Sequence, residues 1–163
     1  MKAILRDFLS RVTLGEPQQF RHLAVFPVFT PNGHEPNYLM LAEALQQNLV
    51  ALTETSQAGQ VPQLKLANRA VVPVLLVEGE ELIGAKQNRV LNTTVLAREQ
   101  SETIIPVTCT EAGRWHYSSP SFSHSGHVSP SKLRRAKSSS VSAALKAKLG
   151  HTSDQGLVWN EIH

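Results

Sequence analysis

The sequence predicts an α+β protein with an antiparallel, sandwich-like β core and a few flanking helices, including a basic C-terminal helix. Two observations predict this class. From residue 63 onward, short apolar runs recur at roughly ten-residue spacing with polar turns between them, which is typical of antiparallel sheets. Near the start, and again over residues 39–49, apolar residues recur at the spacing of amphipathic helices.

The length and composition of the chain predict one domain with a basic extension. Its 163 residues, 41% of them hydrophobic, are enough for one sizeable core. We expect residues 1–117 to form a β-rich core domain with short helices. Residues 118–131 should form a Ser/Pro-rich loop, and residues 132–163 a basic helix and C-terminal tail that pack on the core or extend from it.

The chain carries no sign of a membrane span or of a disulfide framework. No apolar run approaches the roughly 20 residues that a membrane helix needs. Cys109 is the single cysteine, which excludes a disulfide within the chain and fits a reducing compartment. We therefore expect a cytoplasmic protein without a membrane partner.

The first half of the chain alternates between helical and extended patterns. Residues 4–12 have the spacing of a short amphipathic helix, and residues 20–29 are β-prone. After the helical pattern of residues 39–49, residues 50–55 alternate as a strand does.

Apolar runs in the second half predict three neighbouring strands of one sheet. These runs are residues 71–78, 90–96 and 104–109, and polar turn residues separate them. Such short, evenly spaced strands favour antiparallel pairing over a parallel arrangement.

A loop and then a helix are predicted after this sheet. Residues 118–128 are rich in serine and proline, which predicts an irregular loop. A helix over residues 130–149 follows, because Ser129 can cap it, Pro130 suits its first position, and Gly150 can close it in the left-handed conformation.

The predicted helix is strongly basic, since no acidic residue interrupts its cations. Such a helix could bind a phosphate backbone or an acidic partner. No aromatic residues are interleaved for base stacking, so nucleic-acid binding ranks below the other functions and a solvated helix face is the simpler interpretation. The basic residues are Lys132, Arg134, Arg135, Lys137, Lys146 and Lys148.

Residues 78–89 are the polar cluster of the sequence. Three carboxylates, Glu78, Glu80 and Glu81, arrive where an apolar run ends, and two glycines bracket them. Four donors of different geometry then follow consecutively. They are Lys86, Gln87, Asn88 and Arg89.

Candidate roles follow from these residue types. Glu80 or Glu81 could act as a general base, with Lys86 or Arg89 balancing charge in the transition state. Seven further residues are candidate ligand-binding groups, because they offer hydrogen bonds, positive charge or an aromatic face. They are Glu78, Gln87, Asn88, Arg89, Asn92, Arg114 and Trp115. The alternative is a charged turn whose carboxylates pair with Lys86 and Arg89.

We predict that the charged members of this set, with Asn88, converge around one concave surface. The three carboxylates could also hold a divalent cation. His124 and His127 have a spacing that permits a shared metal, but serine and proline surround them, so we expect exposed loop residues. The sequence therefore assigns neither a metal site nor a cofactor.

At these residues the chain resembles a known family. The string EGEELIGAKQNR, then Asn92, then IPVTC and EAGRW, is similar to the pattern of the ARG and rhodanese-phosphatase-superfamily-associated protein domain, a bacterial family of unknown function. The resemblance extends from about Leu23 to Trp159. Through the family's association with ADP-ribosylglycohydrolase-like and rhodanese or phosphatase-like proteins, it implies a context of NAD or ADP-ribose metabolism. It brings no catalytic residues.

Two functions remain open at this point. The first is an accessory domain that binds a nucleotide-derived small molecule or a partner enzyme of ADP-ribose metabolism. The second is a hydrolase-like enzyme acting on an ADP-ribose or nucleotide derivative through residues 78–89. No Walker motif, dinucleotide fingerprint or serine nucleophile elbow is present, and no nucleophile and base pair stands out, so we favour the first.

Overall fold

The structure, a computed structural model, describes residues 3–30, 37–111 and 113–162. The chain forms two compact units, Met1–Pro36 and Asn37–His163. Within the described residues, no helix is both long enough and apolar enough to cross a membrane.

Over residues 3–30, the first unit contains one helix and two small antiparallel ribbons. Helix α1 confirms the amphipathic helix predicted near the start, and the β-prone stretch forms short strands. Strand β1 pairs with β4, and β2 pairs with β3. The elements are α1 (Ala3–Ser10), β1 (Thr13–Leu14), β2 (Gln18–Phe20), β3 (Leu23–Val25) and β4 (Val28–Phe29).

The described residues of the second unit form nine strands and three helices. In chain order they are β5 (Leu39–Met40), α2 (Leu41–Gln46), β6 (Val50–Glu54), β7 (Gln63–Asn68), β8 (Val74–Leu76), β9 (Glu80–Gly84), β10 (Arg89–Leu91), β11 (Val95–Ala97), β12 (Ser101–Cys109), β13 (Phe122–Val128), α3 (Ser131–Lys146) and α4 (Gln155–Ile162). Six of the strands close into an antiparallel barrel in the order β10-β12-β7-β6-β13-β9. Closure leaves the barrel strands without a free edge. The α+β class with an antiparallel β core is confirmed, and the core takes the form of a barrel where sandwich-like packing was expected.

Alternation along the strands builds the barrel interior. In β6 and β7 every second residue is buried, as a pleated strand requires when one face meets the core. The inward positions of β6 are Val50, Leu52 and Glu54, so a buried carboxylate follows two apolar side chains.

The prediction that three apolar runs are neighbours in one sheet is partly wrong. All three runs contain strands, and β10 does pair with β12. Strand β8, however, lies between β5 and β11 in a separate three-stranded sheet. The run at residues 90–96 divides into β10 and β11, because the polar residues 92–94 turn the chain from one sheet to the other.

The predicted helix is confirmed as α3, but the irregular loop over residues 118–128 is wrong for β13. Only Phe122 of this strand is buried, so the sequence has no apolar pattern here that would predict a strand. Backbone pairing with β9 holds the strand, with a register shift between His124 and Val128.

The ends of α3 differ from the predicted ends. Pro130 is the residue before the helix, and no side chain caps it. At the other end the first left-handed residue is Lys148, with φ of 60°, and Gly150, with φ of 78°, follows two residues later. The backbone N–H groups of Lys148 and Leu149 donate to the carbonyls of Leu145 and Ala144, which closes the last turn.

Candidate functional site

The hairpin of β9 and β10 presents the polar cluster. Arg89 pairs with Leu82 and Val90 with Glu81, so residues 85–88 form the hairpin tip. Gly84 precedes the tip with φ of 120°, and a Cβ there would lie 2.8 Å from the carbonyl oxygen of Ser121. The glycine therefore lets the tip approach the residues that follow β12, residues 113–121, here termed the aromatic loop.

Arg114 joins the hairpin tip to the aromatic loop. Its guanidinium donates to the carbonyl of Ala85 at 2.7 Å and to the Asn88 side chain at 3.2 Å. It also donates to both carboxylate oxygens of Glu111 at 2.8 Å. This fork geometry is specific to arginine, so Arg114 acts as a clamp between two loops.

Glu111 completes the clamp. Its carboxylate accepts a hydrogen bond from the backbone N–H of Asn88 at 3.1 Å, and its carbonyl accepts one from the Gln87 side chain at 3.0 Å. The hydrogen bonds from Arg114 lower the pKa of Glu111, and the same contact raises the pKa of Arg114. Both groups are therefore held in their charged forms.

Lys86 projects from the tip between two aromatic rings. Its Nζ lies 5.2 Å from the ring centroid of Trp115 and 5.1 Å from that of Tyr117. The ammonium donates to the carbonyl of Ala58 at 2.7 Å, although it carries three donors. Among the described residues no carboxylate lies within ion-pair distance of it. Lys86 is 8% exposed, whereas Trp115 and Tyr117 are about half exposed.

A buried charged pair lies beneath this lysine, inside the barrel. Arg89 is fully buried, and its Nη2 lies 3.8 Å from Oε1 of Glu54. Nη1 donates to the Gln87 side chain at 3.1 Å, while Nε, Nη2 and both Glu54 oxygens have no hydrogen-bond partner. Burial lowers the pKa of Arg89. Unpartnered charged groups at this depth are costly, which marks the position as one that packing alone does not explain.

Cys109 lies beside Arg89, since the two residues pair across β10 and β12. Burial raises the pKa of the thiol, which disfavours the thiolate that a nucleophile needs. Gln155 of α4 exchanges two hydrogen bonds with the backbone of Cys109, at 2.6 and 3.1 Å. The cysteine therefore belongs to the seam between the barrel and α4.

An open cavity of about 780 Å³ adjoins the two aromatic rings. Tyr117 forms one wall and also faces Lys86, so it stands between the cavity and the ammonium. The other walls are polar or small, with an amide, two hydroxyls and a proline. They are Gln57, Ser118, Ser119 and Pro120.

The structure divides the predicted cluster between the two ends of β9. Lys86, Gln87, Asn88, Arg89, Arg114 and Trp115 meet at the tip. Glu80 begins β9, about 13 Å from Gly84 at the rise of a strand, and the acidic residues have other partners. The predicted convergence of the acidic and basic groups on one surface is therefore wrong.

The acidic residues and Asn92 each have separate surroundings. Glu78 receives hydrogen bonds from Arg134, at 2.8 Å, and from Lys137 of α3. Glu80 accepts one from the backbone of Val77 at 2.9 Å, and its other oxygen lies 3.5 Å from His124. Asn92 donates to the carbonyl of His151 at 3.0 Å and accepts from Thr108 at 2.6 Å. Glu81 lines a different cavity, on the outer wall of the barrel.

The geometry gives the catalytic and nucleic-acid alternatives no support. Lys86 lies at the tip, whereas Glu80 and Glu81 begin β9, and Arg89 faces Glu54 inside the barrel. On α3, Lys132 pairs with Glu161 at 2.8 Å, and Arg134 and Lys137 pair with Glu78. Three of the six basic residues predicted on this helix therefore form ion pairs within the protein.

Sequence reasoning missed Glu54, Glu111 and Tyr117. Glu54 carried a usable signal, since it occupies the third inward position of an alternating strand. Glu111 and Tyr117 flank the Arg114-Trp115 pair in the sequence, but only folding shows that they face the hairpin tip. Across the described part of the chain, no group of three or more histidine, cysteine, aspartate or glutamate side chains could hold a metal ion.

The fold and this site define an α+β protein whose closed barrel presents, at one end, a lysine held between aromatic rings. Residues 11–163 match the ARG and Rhodanese-Phosphatase-superfamily-associated Protein domain, and the chain belongs to this family. The family description associates the domain with other proteins, which indicates an accessory role beside partner enzymes. Searches of curated proteins and of solved structures found no match.

Proposed function

We propose that the protein is a cytoplasmic accessory domain that binds a nucleotide-derived small molecule, such as ADP-ribose or an NAD derivative, at the hairpin tip and aromatic loop. One observation carries the proposal. The Lys86 ammonium is withdrawn from water, has no carboxylate partner among the described residues and faces an open cavity across Tyr117. A buried, unpaired cation of this kind favours an anionic ligand.

The surroundings of Lys86 suit the remaining parts of such a ligand. Half-exposed aromatic faces stack on bases, and Trp115 and Tyr117 offer two. Ser118 and Ser119 place hydroxyls on the cavity wall, where a sugar can exchange hydrogen bonds with them. In this arrangement the phosphate binds Lys86, the base stacks on an aromatic ring and the sugar lies between them. The ammonium, the rings and the hydroxyls are then all used.

The context of the family supports the choice of ligand. Its association with ARG and rhodanese-phosphatase superfamily proteins fits a domain that recognises a substrate or product of a partner enzyme. The fixed geometry of the Arg114 clamp favours binding, because the loops that carry Lys86 and Trp115 are ordered before the ligand arrives.

Isothermal titration calorimetry with ADP-ribose, NAD and AMP tests the proposal. Lys86→Met should weaken binding by roughly tenfold or more, the loss expected for one charge-assisted hydrogen bond. Lys65→Met is the matched control, because Lys65 lies on β7 and pairs with Glu102 at 3.4 Å. It should bind as the unmodified protein does.

Tyr117→Ala provides an independent check on stacking. Loss of a base-stacking ring costs about 1 to 3 kcal/mol, so binding of AMP should weaken at least fivefold while binding of ribose 5-phosphate changes little. The proposal fails if the folded protein binds none of these ligands at millimolar concentration, or if Lys86→Met and Lys65→Met bind equally well.

A further inference from the structure

A second cavity lies on the outer wall of the barrel, toward the other end of β9. Its volume is about 430 Å³, within the range of small-molecule sites. The first turn of α3 and the last turn of α4 form its far side. Glu81 of β9 lines it, because this residue alternates with the buried Glu80 and Leu82 and so points away from the barrel interior.

The apolar part of this cavity comes from three elements. Val128 ends β13, Leu133 lies in the first turn of α3, and Ile162 ends α4. Leu133 is buried, whereas Val128 and Ile162 are 51% and 41% exposed. An apolar chain seated here would cover both of these exposed side chains.

Polar side chains of the cavity wall have hydrogen-bonding capacity that the described residues leave unused. In the part of the chain that the structure describes, the Glu81 carboxylate makes neither a hydrogen bond nor an ion pair. The Thr110 hydroxyl is buried without a hydrogen-bond partner, although the backbone N–H of Thr110 donates to Asn88 at 3.1 Å. This hydroxyl lies behind the cavity wall, so the Glu81 carboxylate is the polar group that a ligand in the cavity can reach.

The charge of the cavity is set by Glu81. A second carboxylate, Glu161, is neutralised by Lys132, whose Nζ lies 2.8 Å away and whose side chain is 85% exposed. The hydrogen bond and charge of Glu161 raise the pKa of Lys132, so this pair stays ionised and balanced. His127 also lines the cavity and is exposed to water.

We propose that this cavity binds a small organic cation, an amine carried on an apolar chain. The ammonium donates to the Glu81 carboxylate, and the chain lies against Val128, Leu133 and Ile162. Glu81 excludes an anionic head group by repulsion, and the apolar walls disfavour a fully hydrated ion. The site shares no lining residue with the cavity beside Tyr117, so it stands or falls independently of the proposed function.

Three probes with the same chain and different head groups test this assignment. They are n-hexylamine, n-hexanol and n-hexanoate, titrated into ¹⁵N-labelled protein at neutral pH, where the amine is protonated. We expect the amine to bind about three- to fivefold more tightly than the alcohol, the factor of one solvent-accessible ion pair. Hexanoate should bind most weakly. Shifts should centre on the backbone amides of Glu81, Thr110 and Leu133.

Two variants separate the head group from the chain. Glu81→Gln should remove the preference for the amine over the alcohol, whereas Glu99→Gln, at an exposed turn, should keep it. Val128→Phe fills the cavity from an exposed position and should weaken all three probes. The proposal is overturned if no probe binds, if amine and alcohol bind the unmodified protein equally, or if the shifts map to another surface.

Discussion

Two buried lysines of the second unit differ in their surroundings, and the difference separates a structural cation from a functional one. Lys137 of α3 is fully buried and donates to the Glu78 carboxylate and to the carbonyl of Leu91. Lys86 is almost as buried, yet it contacts two aromatic rings and one carbonyl, that of Ala58. Burial alone does not mark a binding site. A buried charge that has no opposite charge within ion-pair distance does mark one.

The two lysines also lie toward opposite ends of the same hairpin. At the Glu78 end, polar groups are used to dock α3 on the barrel, and Gly79 lets Arg134 approach, since a Cβ there would lie 2.7 Å from its Nε. At the tip, the Arg114 clamp satisfies the backbone and leaves Lys86 without an ion-pair partner. Residues 78–89, which form one polar cluster in the sequence, therefore perform two tasks. One end docks α3, and the other end presents Lys86.

The largest expected effect follows from breaking the Glu78 end. Glu78→Gln leaves the Lys137 ammonium buried with a neutral partner, so the free energy of unfolding should fall by about 3 kcal/mol. Burial already lowers the pKa of Lys137, and the variant should lower it further. Urea unfolding followed by circular dichroism measures the change, with Glu99→Gln as the control.

Lys137→Met sharpens the same comparison. Glu78 is 17% exposed and keeps Arg134, so removal of the lysine should cost less than removal of the carboxylate. Equal losses for Glu78→Gln and Lys137→Met would show that the cost does not come from leaving the lysine charge buried without a carboxylate.

The next effect concerns the clamp at the tip. Arg114→Lys keeps the charge and loses the fork that reaches Glu111, Ala85 and Asn88 together, so we expect a loss of about 1 to 2 kcal/mol. Amide exchange over residues 84–88 should accelerate more than exchange over β7. Arg98→Lys, at an exposed position, should change neither quantity. Unchanged exchange in Arg114→Lys would mean that the tip is ordered by other contacts.

A smaller effect is expected at Lys86 itself. Lys86→Met removes one hydrogen bond but keeps a flexible apolar chain between Trp115 and Tyr117, where a thioether packs well. The free energy of unfolding should change by about 0.5 kcal/mol, far less than for Glu78→Gln. Thermal and urea unfolding without ligand measure it. A loss as large as that of Lys137→Met would show that Lys86 stabilises the fold as Lys137 does. The contrast between the two lysines would then not hold.

Local patterns in the sequence predicted the parts of the fold that local physics determines. Helix α3 follows from its composition and its proline start, and β10 and β12 follow from apolar runs. Strand β13 could not be predicted in this way, because pairing with β9 holds it while only one of its residues is buried.

The candidate site was predictable to a similar degree. Lys86, Arg89, Arg114 and Trp115 were identified from residue type, and the structure brings them together. Glu54 was missed because its partner Arg89 lies far along the chain. The separate role of Glu78 depends on where α3 docks, and nothing within residues 78–89 indicates that.

The smallest effect is a pH dependence that belongs to the tip. Hydrogen bonds from Arg114 hold the pKa of Glu111 below its ordinary value of 4.5. Below that value the unfolded chain binds more protons at this position than the folded protein does. The contribution of Glu111 to stability is therefore fully present above pH 4.5 and is lost as the pH falls through the folded-state pKa.

Urea unfolding of the unmodified protein and of Glu111→Gln between about pH 3 and pH 6 tests this last prediction. The difference in unfolding free energy should be largest at the upper end, where it stays below about 1 kcal/mol because water screens a carboxylate that is one-third exposed. It should shrink as the pH falls. The control is Glu102→Gln, which removes a more exposed carboxylate, paired at 3.4 Å with Lys65. If the Glu111→Gln difference is constant across this range, Arg114 holds the tip through its contacts with carbonyls and Asn88, and the charge on Glu111 is incidental.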